Sequence, residues 1–273
     1  MAASSSHQQR IDKHFDTRAQ HWRDLYEART LEGVIHQRRR SLALEWILGL
    51  ELAHGARVLE VGCGAGLLAI DVAARGYDVD CIDTSTAMVA VAAAEARATD
   101  VAGRLTVDTG DVHVLSFGSD AFDLVVALGV IPFLHSPQTA LAEMARVARR
   151  GGRILFSSDN KYRLNRVLDP RYLPFPKREA LKQRLTGVGA KASSQLPTKL
   201  FSHREMQRMV DAAGLSVERF VTIGFGPFTL LGRHMLAERS AISLHNWLQD
   251  RADRGTLGLQ HVATQHLIVA QKV

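Results

Sequence analysis

Apolar residues in the first fifty positions of the chain recur at mixed intervals of three and four, which is the spacing of an amphipathic helix. Helices are therefore predicted at Ile11–Arg29 and His36–Leu50. Beyond them, short runs rich in β-branched residues alternate with turns and alanine-rich stretches. The predicted strands are Arg57–Val61, Tyr77–Ile82, Leu105–Asp108, Asp123–Leu128 and Arg153–Ser157, and the helices between them are Leu67–Arg75, Thr86–Thr99 and Pro137–Arg149.

The alternation of strands and helices predicts an α/β fold. Strands joined through helices pair in parallel by right-handed crossovers, so helices cover both faces of the sheet. We therefore predict a doubly wound, Rossmann-like domain over residues 54–273, preceded by a helical segment over residues 1–53. The segment 159–200 is rich in proline and basic residues, and it is interpreted as an inserted helix-and-loop unit after the fifth strand.

Regular structure resumes after the insert. Ser202 and Glu205 have the spacing of a capping box, which predicts a helix that stops at Gly214. Two further strands are predicted at Leu215–Ile223 and Ala263–Gln271. With the first five strands, they make a sheet of seven.

The composition is that of an ordinary globular chain, with 46% hydrophobic and 23% charged residues in a length of 273. The longest apolar run, Leu124–Leu134, falls short of the roughly 18 residues that a membrane-spanning helix needs. The first residues lack the pattern of a secretory signal, so we expect a cytoplasmic protein. Cys63 and Cys81 are too few for a disulfide scaffold or a structural zinc site, and no metal is predicted.

A glycine-rich turn follows the first strand, with glycines at positions 62, 64 and 66 after Glu60. Glycines allow a tight turn and let a ligand approach the backbone, while the next helix offers free N–H groups. A dinucleotide site would need a glycine at position 67, which is Leu67. The Glu60 carboxylate would also repel a pyrophosphate and attract an ammonium group. The charge pattern therefore favours a ligand with a cationic end.

The pattern Glu60-x-Gly62-x-Gly64-x-Gly66 resembles the first motif of class I S-adenosylmethionine-dependent methyltransferases. The resemblance extends over about residues 56–158, with further motifs in the family's order, and implies a mostly parallel sheet whose last strand is antiparallel. It implies S-adenosyl-L-methionine as the cofactor, with Glu60 at its ammonium group and Asp83 at the ribose hydroxyls. The remaining cofactor-binding residues that it implies are Gly62, Cys63, Gly64, Gly66, Thr84, Met88, Gly110, Asp111, Val112, Leu128 and Gly129.

The N-terminal helices resemble the lid of small-molecule methyltransferases of ubiquinone and menaquinone biosynthesis. The pattern Phe15-Asp16-x-x-Ala19-x-x-Trp22-x-x-x-Tyr26 carries this resemblance, and Tyr26 could donate to the cofactor carboxylate. Among the three consecutive arginines at 38–40, Arg40 best matches the arginine that holds this carboxylate in relatives. His135 is the candidate general base, since it follows the fourth strand and a histidine has a suitable pKa.

We therefore predict a methyltransferase that transfers a methyl group to an O, N or C atom of a small molecule, in a natural-product or quinone-like pathway. Three alternatives stay open: an RNA methyltransferase, an NAD(P)-dependent oxidoreductase and a protein that binds the cofactor without catalysis. The RNA alternative ranks lower because residues 128–133 lack the Pro-Pro-aromatic motif that holds a flipped adenine. The sequence leaves open the acceptor and the oligomeric state, which could be a dimer.

The net charge of +6 is concentrated in residues 161–184, where eight basic residues face two acidic ones. This insert lies where the family commonly places its acceptor-binding elements, and it also contains Tyr162, Tyr172 and Phe175. A concentrated positive field could steer an anionic substrate or an acidic carrier protein toward the site. A solvated basic surface is an equal alternative at this stage.

Overall fold

The computed structural model describes residues 10–101, 103–168, 198–230 and 233–273. A twisted sheet forms the centre of the fold, with the strand order β3-β2-β1-β4-β5-β10-β7. These strands are β1 (Arg57–Val61), β2 (Asp78–Asp83), β3 (Leu105–Thr109), β4 (Phe122–Ala127), β5 (Ala148–Asn160), β7 (Leu215–Ile223) and β10 (Gln265–Lys272). Two short strands, β8 (Thr229–Leu230) and β9 (Arg233–His234), pair with each other outside this sheet. Strand β10 runs antiparallel to both β5 and β7, and the neighbours from β3 to β5 are parallel. The predicted seven-stranded α/β sheet with an antiparallel last strand is confirmed.

Helices lie on both faces of the sheet and at its carboxyl edge. In chain order they are α1 (residues 10–16), α2 (Ala19–Leu25), α3 (Leu31–Leu48), α4 (Leu67–Ala73), α5 (Thr86–Arg97), α6 (Pro137–Val147), α7 (Leu164–Val167), α8 (His203–Ala212), α9 (Glu238–Asp253) and α10 (Leu259–Val262). A short 3-10 turn at Ile131–Phe133 follows β4. In the described part of the chain no helix has both the length and the hydropathy of a membrane span.

Central strands are apolar on both faces because each face packs under helices. In β4, Leu124 and Val126 belong to one core cluster, whereas Val125 and Ala127 belong to the other. All four are at most 1% exposed. Alternate residues of one strand therefore enter two separate cores, which is the arrangement of a parallel sheet covered on both sides.

The sequence pattern misplaces several element ends. The fifth strand is predicted at Arg153–Ser157, but β5 spans Ala148–Asn160 and includes the Gly151-Gly152 pair. Helix α6 consequently ends at Val147 instead of Arg149, because the backbone enters β5 directly and Ala148 pairs with Phe122 of β4. A Gly-Gly pair favours a helix stop on local grounds, but pairing with β4 decides where the strand begins.

The N-terminal segment is also divided differently from the prediction. One helix was expected at Ile11–Arg29, whereas the structure has α1 and α2 with a turn at Thr17 and Arg18 between them. Helix α3 begins five residues before the predicted His36, since the Thr30 side chain accepts a hydrogen bond from the Gly33 N–H and caps the helix there.

The insert after β5 is partly described. Strand β5 extends through Asp159 and Asn160, so these two residues belong to the sheet. Helix α7 follows, and β6 (Leu200–Phe201) pairs in parallel with the end of β5. The Lys199 N–H donates to the Pro132 carbonyl at 2.8 Å, which joins the end of the insert to the turn after β4. Most of the basic cluster, with Tyr172 and Phe175, lies outside the described residues.

The capping box at the start of α8 (His203–Ala212) is confirmed and gives a stability prediction. Ser202 Oγ accepts from the Glu205 N–H, and Glu205 Oε2 accepts from the Ser202 N–H at 2.7 Å. The hydrogen bonds from Ser202 lower the pKa of Glu205 to about 2. We expect Ser202→Ala to lower the free energy of unfolding by about 1 kcal/mol in urea denaturation.

The matched control is Ser243→Ala, which removes an exposed hydroxyl inside α9 that bonds only to the Arg239 carbonyl. Alanine has the higher helix propensity, so this change should not destabilise the chain. An equal decrease in the free energy of unfolding for the two variants would contradict a stabilising role of the Ser202 cap.

Candidate functional site

The carboxyl ends of β1 and β4 lie side by side. After β1 the chain continues to β2 on one side of this pair, and after β4 it continues to β5 on the other side. Open α/β sheets bind ligands in the crevice that forms at such a switch point. The turn after β1 supplies Gly62, Gly64 and Gly66, whose φ angles are +64°, +55° and +73°. A Cβ at Gly62 would overlap Val130 Cγ2, and one at Gly66 would lie 2.9 Å from Ala92 Cβ. These two glycines are required by close packing.

Gly64 differs from the other two glycines because a Cβ there would meet nothing within 4 Å. Its N–H donates to Asp83 Oδ2 at 2.9 Å, and Asp83 Oδ1 accepts from the Ser85 N–H at 2.9 Å. Burial raises the pKa of Asp83, and the two amide hydrogen bonds act in the opposite direction. Each carboxylate oxygen has a second lone pair, so Asp83 can still accept from the two hydroxyls of a ribose.

Glu60 lies under the glycine turn, at the end of β1, and is 5% exposed. Its Oε2 atom is buried and has no hydrogen-bond partner among the described residues. Burial raises the pKa of Glu60 to about 8, although the Ala69 N–H and the charge of Arg40 oppose this shift. A buried carboxyl oxygen without a donor is costly, so an unfilled bond of this kind indicates a binding site for a donor group.

Asp111 follows β3 and contacts a histidine that the sequence analysis did not select. Its Oδ1 atom lies 2.7 Å from His113 Nδ1 and also accepts from the His113 N–H at 2.9 Å. The hydrogen bond to the His113 side chain lowers the pKa of Asp111. The His113 ring stacks on His135, with centroids 3.8 Å apart. His135 therefore lies beside the predicted adenine-contacting acid, and its catalytic role stays a prediction.

The other predicted cofactor-binding residues lie buried or half-buried at the same edge of the sheet. The Gly110 N–H donates to the Asp83 carbonyl at 3.1 Å, and the Gly129 N–H donates to Ser157 Oγ at 2.8 Å. The Met88 N–H donates to Ser85 Oγ, which caps α5. The remaining members of this set are Cys63, Val112 and Leu128.

Helix α1 lies across the turn after β2 and is held there by two carboxylates. Thr84 Oγ1 donates to Asp12 Oδ1 at 2.8 Å, and Ser85 Oγ donates to Asp16 Oδ1 at 2.6 Å. Thr84 was predicted to contact the cofactor, and in the structure its hydroxyl anchors the lid. The aspartates also add negative charge near Asp83, which raises its pKa further.

Aromatic contacts attach the same lid to the opposite side of the crevice. Phe15 makes an edge contact with Phe133 after β4, with ring centroids 5.3 Å apart. Trp22 lies against Phe15 and His36, at 5.5 and 5.9 Å. The lid therefore bridges the turns after β2 and β4, which flank the glycine turn after β1.

The three consecutive arginines of α3 have different surroundings. Arg40 forms an ion pair with Asp71 at 2.6 Å and donates to the Leu67 carbonyl at 3.1 Å, which anchors α4. Arg38 pairs with Asp253 at 3.1 Å. The carboxylate-binding role predicted for Arg40 stays a prediction. Its guanidinium already contacts Asp71 and the Leu67 carbonyl, and its buried Nε has no partner among the described residues.

Arg39 is 4% exposed and has no carboxylate within 4 Å in the described part of the chain. Its guanidinium donates to Tyr26 Oη and Gln265 Oε1 at 3.4 Å each, and it lies 3.2 Å from His36 Nδ1. Burial lowers the pKa of His36 to about 3, so this imidazole is neutral near neutral pH. A Cβ at Gly129 would come within 3.0 Å of the guanidinium.

Sequence reasoning missed Arg39, Asp12, His113 and Gln265. Arg39 belongs to the cluster of three arginines that the sequence shows, but which of the three faces the crevice depends on the rotation of α3 against the sheet. Asp12 lies one helical turn before Asp16, so the two side chains share a face of α1, and this spacing was a usable signal. His113 and Gln265 gave no comparable signal.

The central part of the chain is similar to known methyltransferases. The family model described as a methyltransferase domain matches residues 59–156. The ubiquinone biosynthesis O-methyltransferase of Paracidovorax citrulli is 35% identical over 152 residues, which are 54% of this chain and 60% of the relative. Its counterpart in Photorhabdus laumondii is 31% identical over 157 residues, covering 56% and 62%. The chain spans about three fifths of the length of these relatives.

Solved structures share the fold at low sequence identity. Magnesium protoporphyrin IX methyltransferase from Synechocystis PCC 6803, solved with bound SAH, is 18% identical with a TM-score of 0.66, covering 97% of this chain and all of that one. Geranyl diphosphate C-methyltransferase from Streptomyces coelicolor has a TM-score of 0.57 at 16% identity, covering 85% and 79%. The [4+2]-cyclase SpnF has a TM-score of 0.56 at 19% identity, covering 86% and 80%.

The different surroundings of the glycines predict different costs of substitution. Gly64→Ala should lower the free energy of unfolding by about 1 to 2 kcal/mol, which is the cost of a left-handed backbone for a residue with a Cβ. Gly62→Ala adds the overlap with Val130, so we expect a loss of about 2 to 5 kcal/mol. Urea denaturation measures both values. Gly118→Ala is the control, since this glycine has neither a left-handed φ nor a neighbour within 4 Å.

Proposed function

We propose that this chain, whose residues 59–156 are a methyltransferase domain, uses S-adenosylmethionine to methylate a small molecule. The observation that carries the proposal is the buried, unpartnered Oε2 of Glu60 below a glycine turn that leaves open space at Gly64. A ligand that fits must bring a hydrogen-bond donor to Glu60 and a narrow, polar chain past Gly64. The amino acid end of S-adenosylmethionine meets both requirements.

The nucleoside would lie on the β1–β2–β3 side of the crevice. Asp83 would accept from the ribose hydroxyls, and Asp111 would accept from the adenine amino group. S-adenosylmethionine, when bound, supplies a methyl group on a positively charged sulfur. The protein then has to hold the acceptor in line with that methyl group and exclude water, and proximity of this kind lowers the barrier by about 7 to 11 kcal/mol. Phe15 and Trp22 of the lid would exclude the water.

Arg39 is the better partner for the cofactor carboxylate than Arg40. A buried guanidinium that has only neutral hydrogen-bond partners is unfavourable unless an anion joins it. Arg39 contacts Tyr26 and lies against Gly129, and both residues were predicted to bind the cofactor. Arg40 already neutralises Asp71.

The comparisons and the charges favour this function over its alternatives. The relatives at 35% and 31% identity are named for ubiquinone biosynthesis, and this supports a small molecule over RNA as the acceptor. A dinucleotide would bring a pyrophosphate toward Glu60 and would need a glycine where Leu67 begins α4. A cyclase shares the fold, so cofactor binding and methyl transfer need separate tests.

Glu60→Gln tests the site through binding and stability together. At about pH 7 the unfolded carboxyl is ionised, whereas the folded one, with a pKa of about 8, is mostly protonated. Folding must therefore take up a proton, and this cost is absent below the unfolded pKa and grows as the pH rises above it. We expect the glutamine variant to melt at a higher temperature at about pH 7 and to lose this advantage at about pH 4.

The same variant should bind S-adenosylhomocysteine about 10 to 100 times more weakly, because a charged hydrogen bond is worth about 1.5 to 3 kcal/mol. Calorimetry with 5′-methylthioadenosine is the control, since this ligand lacks the amino acid end, and its affinity should not change. Undiminished binding of S-adenosylhomocysteine would exclude the ammonium role of Glu60. Parent protein that binds NADH instead would support the oxidoreductase alternative.

Arg39→Gln and Arg40→Gln separate the two arginines. We expect the first to weaken S-adenosylhomocysteine binding about 10- to 100-fold through the lost charged hydrogen bonds. The second should change the affinity less than about threefold, since its guanidinium is held within the protein by Asp71 and the Leu67 carbonyl. Binding of 5′-methylthioadenosine should stay the same in both. The reverse order of affinities would restore Arg40 as the carboxylate partner.

A further inference from the structure

The acceptor side of the crevice lies beyond the point where the cofactor's nucleoside would end. In this sheet, β1, β2 and β3 extend to one side of the switch point, and β4, β5 and β10 extend to the other. If the nucleoside occupies the first side, the reacting end of the acceptor must lie over the carboxyl ends of β4 and β5. Asp159 is at that end of β5 and pairs with Gln265 at the start of β10.

A chain of hydrogen bonds connects Asp159 with the lid. Gln265 Nε2 donates to Asp159 Oδ1 at 3.4 Å, and Gln265 Oε1 accepts from Arg39 Nη1 at 3.4 Å. Arg39 Nη2 in turn donates to Tyr26 Oη at 3.4 Å. All three bonds are long, so the groups can shift toward a ligand at little cost. The chain links the residue proposed for the cofactor carboxylate with a carboxylate on the acceptor side.

Asp159 has no ion pair within 4 Å in the part of the chain that the structure describes. Arg39 and Arg163 act on it only at longer range, and Gln265 gives it one neutral hydrogen bond. Burial raises the pKa of Asp159. The residue is half-buried, and its Oδ2 atom receives no hydrogen bond from any described residue. An acidic side chain in this state is suited to exchange a proton with a ligand.

We infer that Asp159 Oδ2 binds the hydroxyl group of the acceptor and takes its proton, which makes this aspartate a catalytic residue for methyl transfer to oxygen. This inference rests on the proposed function. The acceptor O–H bond breaks, the proton moves to Oδ2, and the bonding electron pair stays on the acceptor oxygen. The positive charge of Arg163, which acts on Asp159 at longer range, then favours the phenolate that forms.

The alternative base, His135, is placed less favourably. Its ring stacks on His113 beside Asp111, which is the side that the adenine would occupy. Asp159 also restricts the acceptor class, because its negative charge would repel an acceptor that brings a carboxylate to this position. A phenol has a lower pKa than an aliphatic alcohol, so a carboxylate can remove its proton more readily.

The experiment compares Asp159→Asn with the parent protein on two readouts. The first is methyl transfer from labelled S-adenosylmethionine to matched panels of phenols and catechols, amines, thiols and carboxylic acids. The second is calorimetric binding to protein saturated with S-adenosylhomocysteine. The two ligands compared are each hydroxyl compound that the parent methylates and the methyl ether of that compound. Ser158→Ala is the control, since this neighbouring hydroxyl lies 3.3 Å from His266 Nδ1, and alternation along β5 directs it to the other face.

We expect methylation of phenols or catechols by the parent and a rate about 100 to 10,000 times lower in Asp159→Asn, which is the usual contribution of a general base. The affinity for S-adenosylhomocysteine should not change. The parent should prefer the hydroxyl compound to its methyl ether, and the variant should lose part of this preference. Ser158→Ala should behave as the parent does.

Other outcomes overturn the inference and are distinct from a failure of the proposed function. If the parent does not bind S-adenosylhomocysteine, the proposed function itself fails. If it binds this ligand but Asp159→Asn methylates phenols at the parental rate, the role of Asp159 is wrong. Methylation of amines, thiols or carboxylic acids alone, or of no hydroxyl compound in the panel, would overturn the acceptor class.

Discussion

The Asp83 carboxylate connects the parts of the site that would otherwise be independent. It accepts from the Gly64 N–H in the turn after β1 and from the Ser85 N–H in the turn after β2. Ser85 in turn caps α5 and donates to Asp16 of the lid. The shape of the glycine turn, the start of α5 and the position of the lid therefore depend on a single half-buried anion. Removing it would leave two amide donors unpaired.

Two other groups near the crevice are buried at a cost that the described part of the chain does not offset. Among the described residues, no donor reaches one oxygen of Glu60 and no anion pairs with the Arg39 guanidinium, and both groups lie near the crevice where β1 and β4 diverge. Buried polar groups are normally satisfied, so both exceptions require an explanation. A zwitterionic amino acid supplies an ammonium group for the first and a carboxylate for the second. The unfavourable burial of both residues is consistent with a site that is preorganised for such a ligand.

The features that the sequence predicts correctly are those that depend on local backbone geometry. The alternation of strands and helices predicted the α/β sheet, the spacing of Gly62, Gly64 and Gly66 predicted the turn, and Ser202 predicted a helix start. These features depend on φ angles and hydrogen bonds between residues a few positions apart. The length of β5 was wrong because Ala148 is extended by pairing with Phe122, which lies 26 positions earlier in the chain.

The order of the motifs along the chain was enough to determine the class of fold and the cationic character of the proposed ligand, since a strand, a turn and a helix start are local structures. Only the tertiary structure decided which arginine of α3 enters the crevice and that Asp159 meets Gln265 beside it. Arg39 and Arg40 are about 100° apart around a helix axis, so the way in which α3 packs against the sheet decides which of the two faces the crevice. Residues 159 and 265 are distant in the chain and become neighbours only because β10 returns antiparallel to β5.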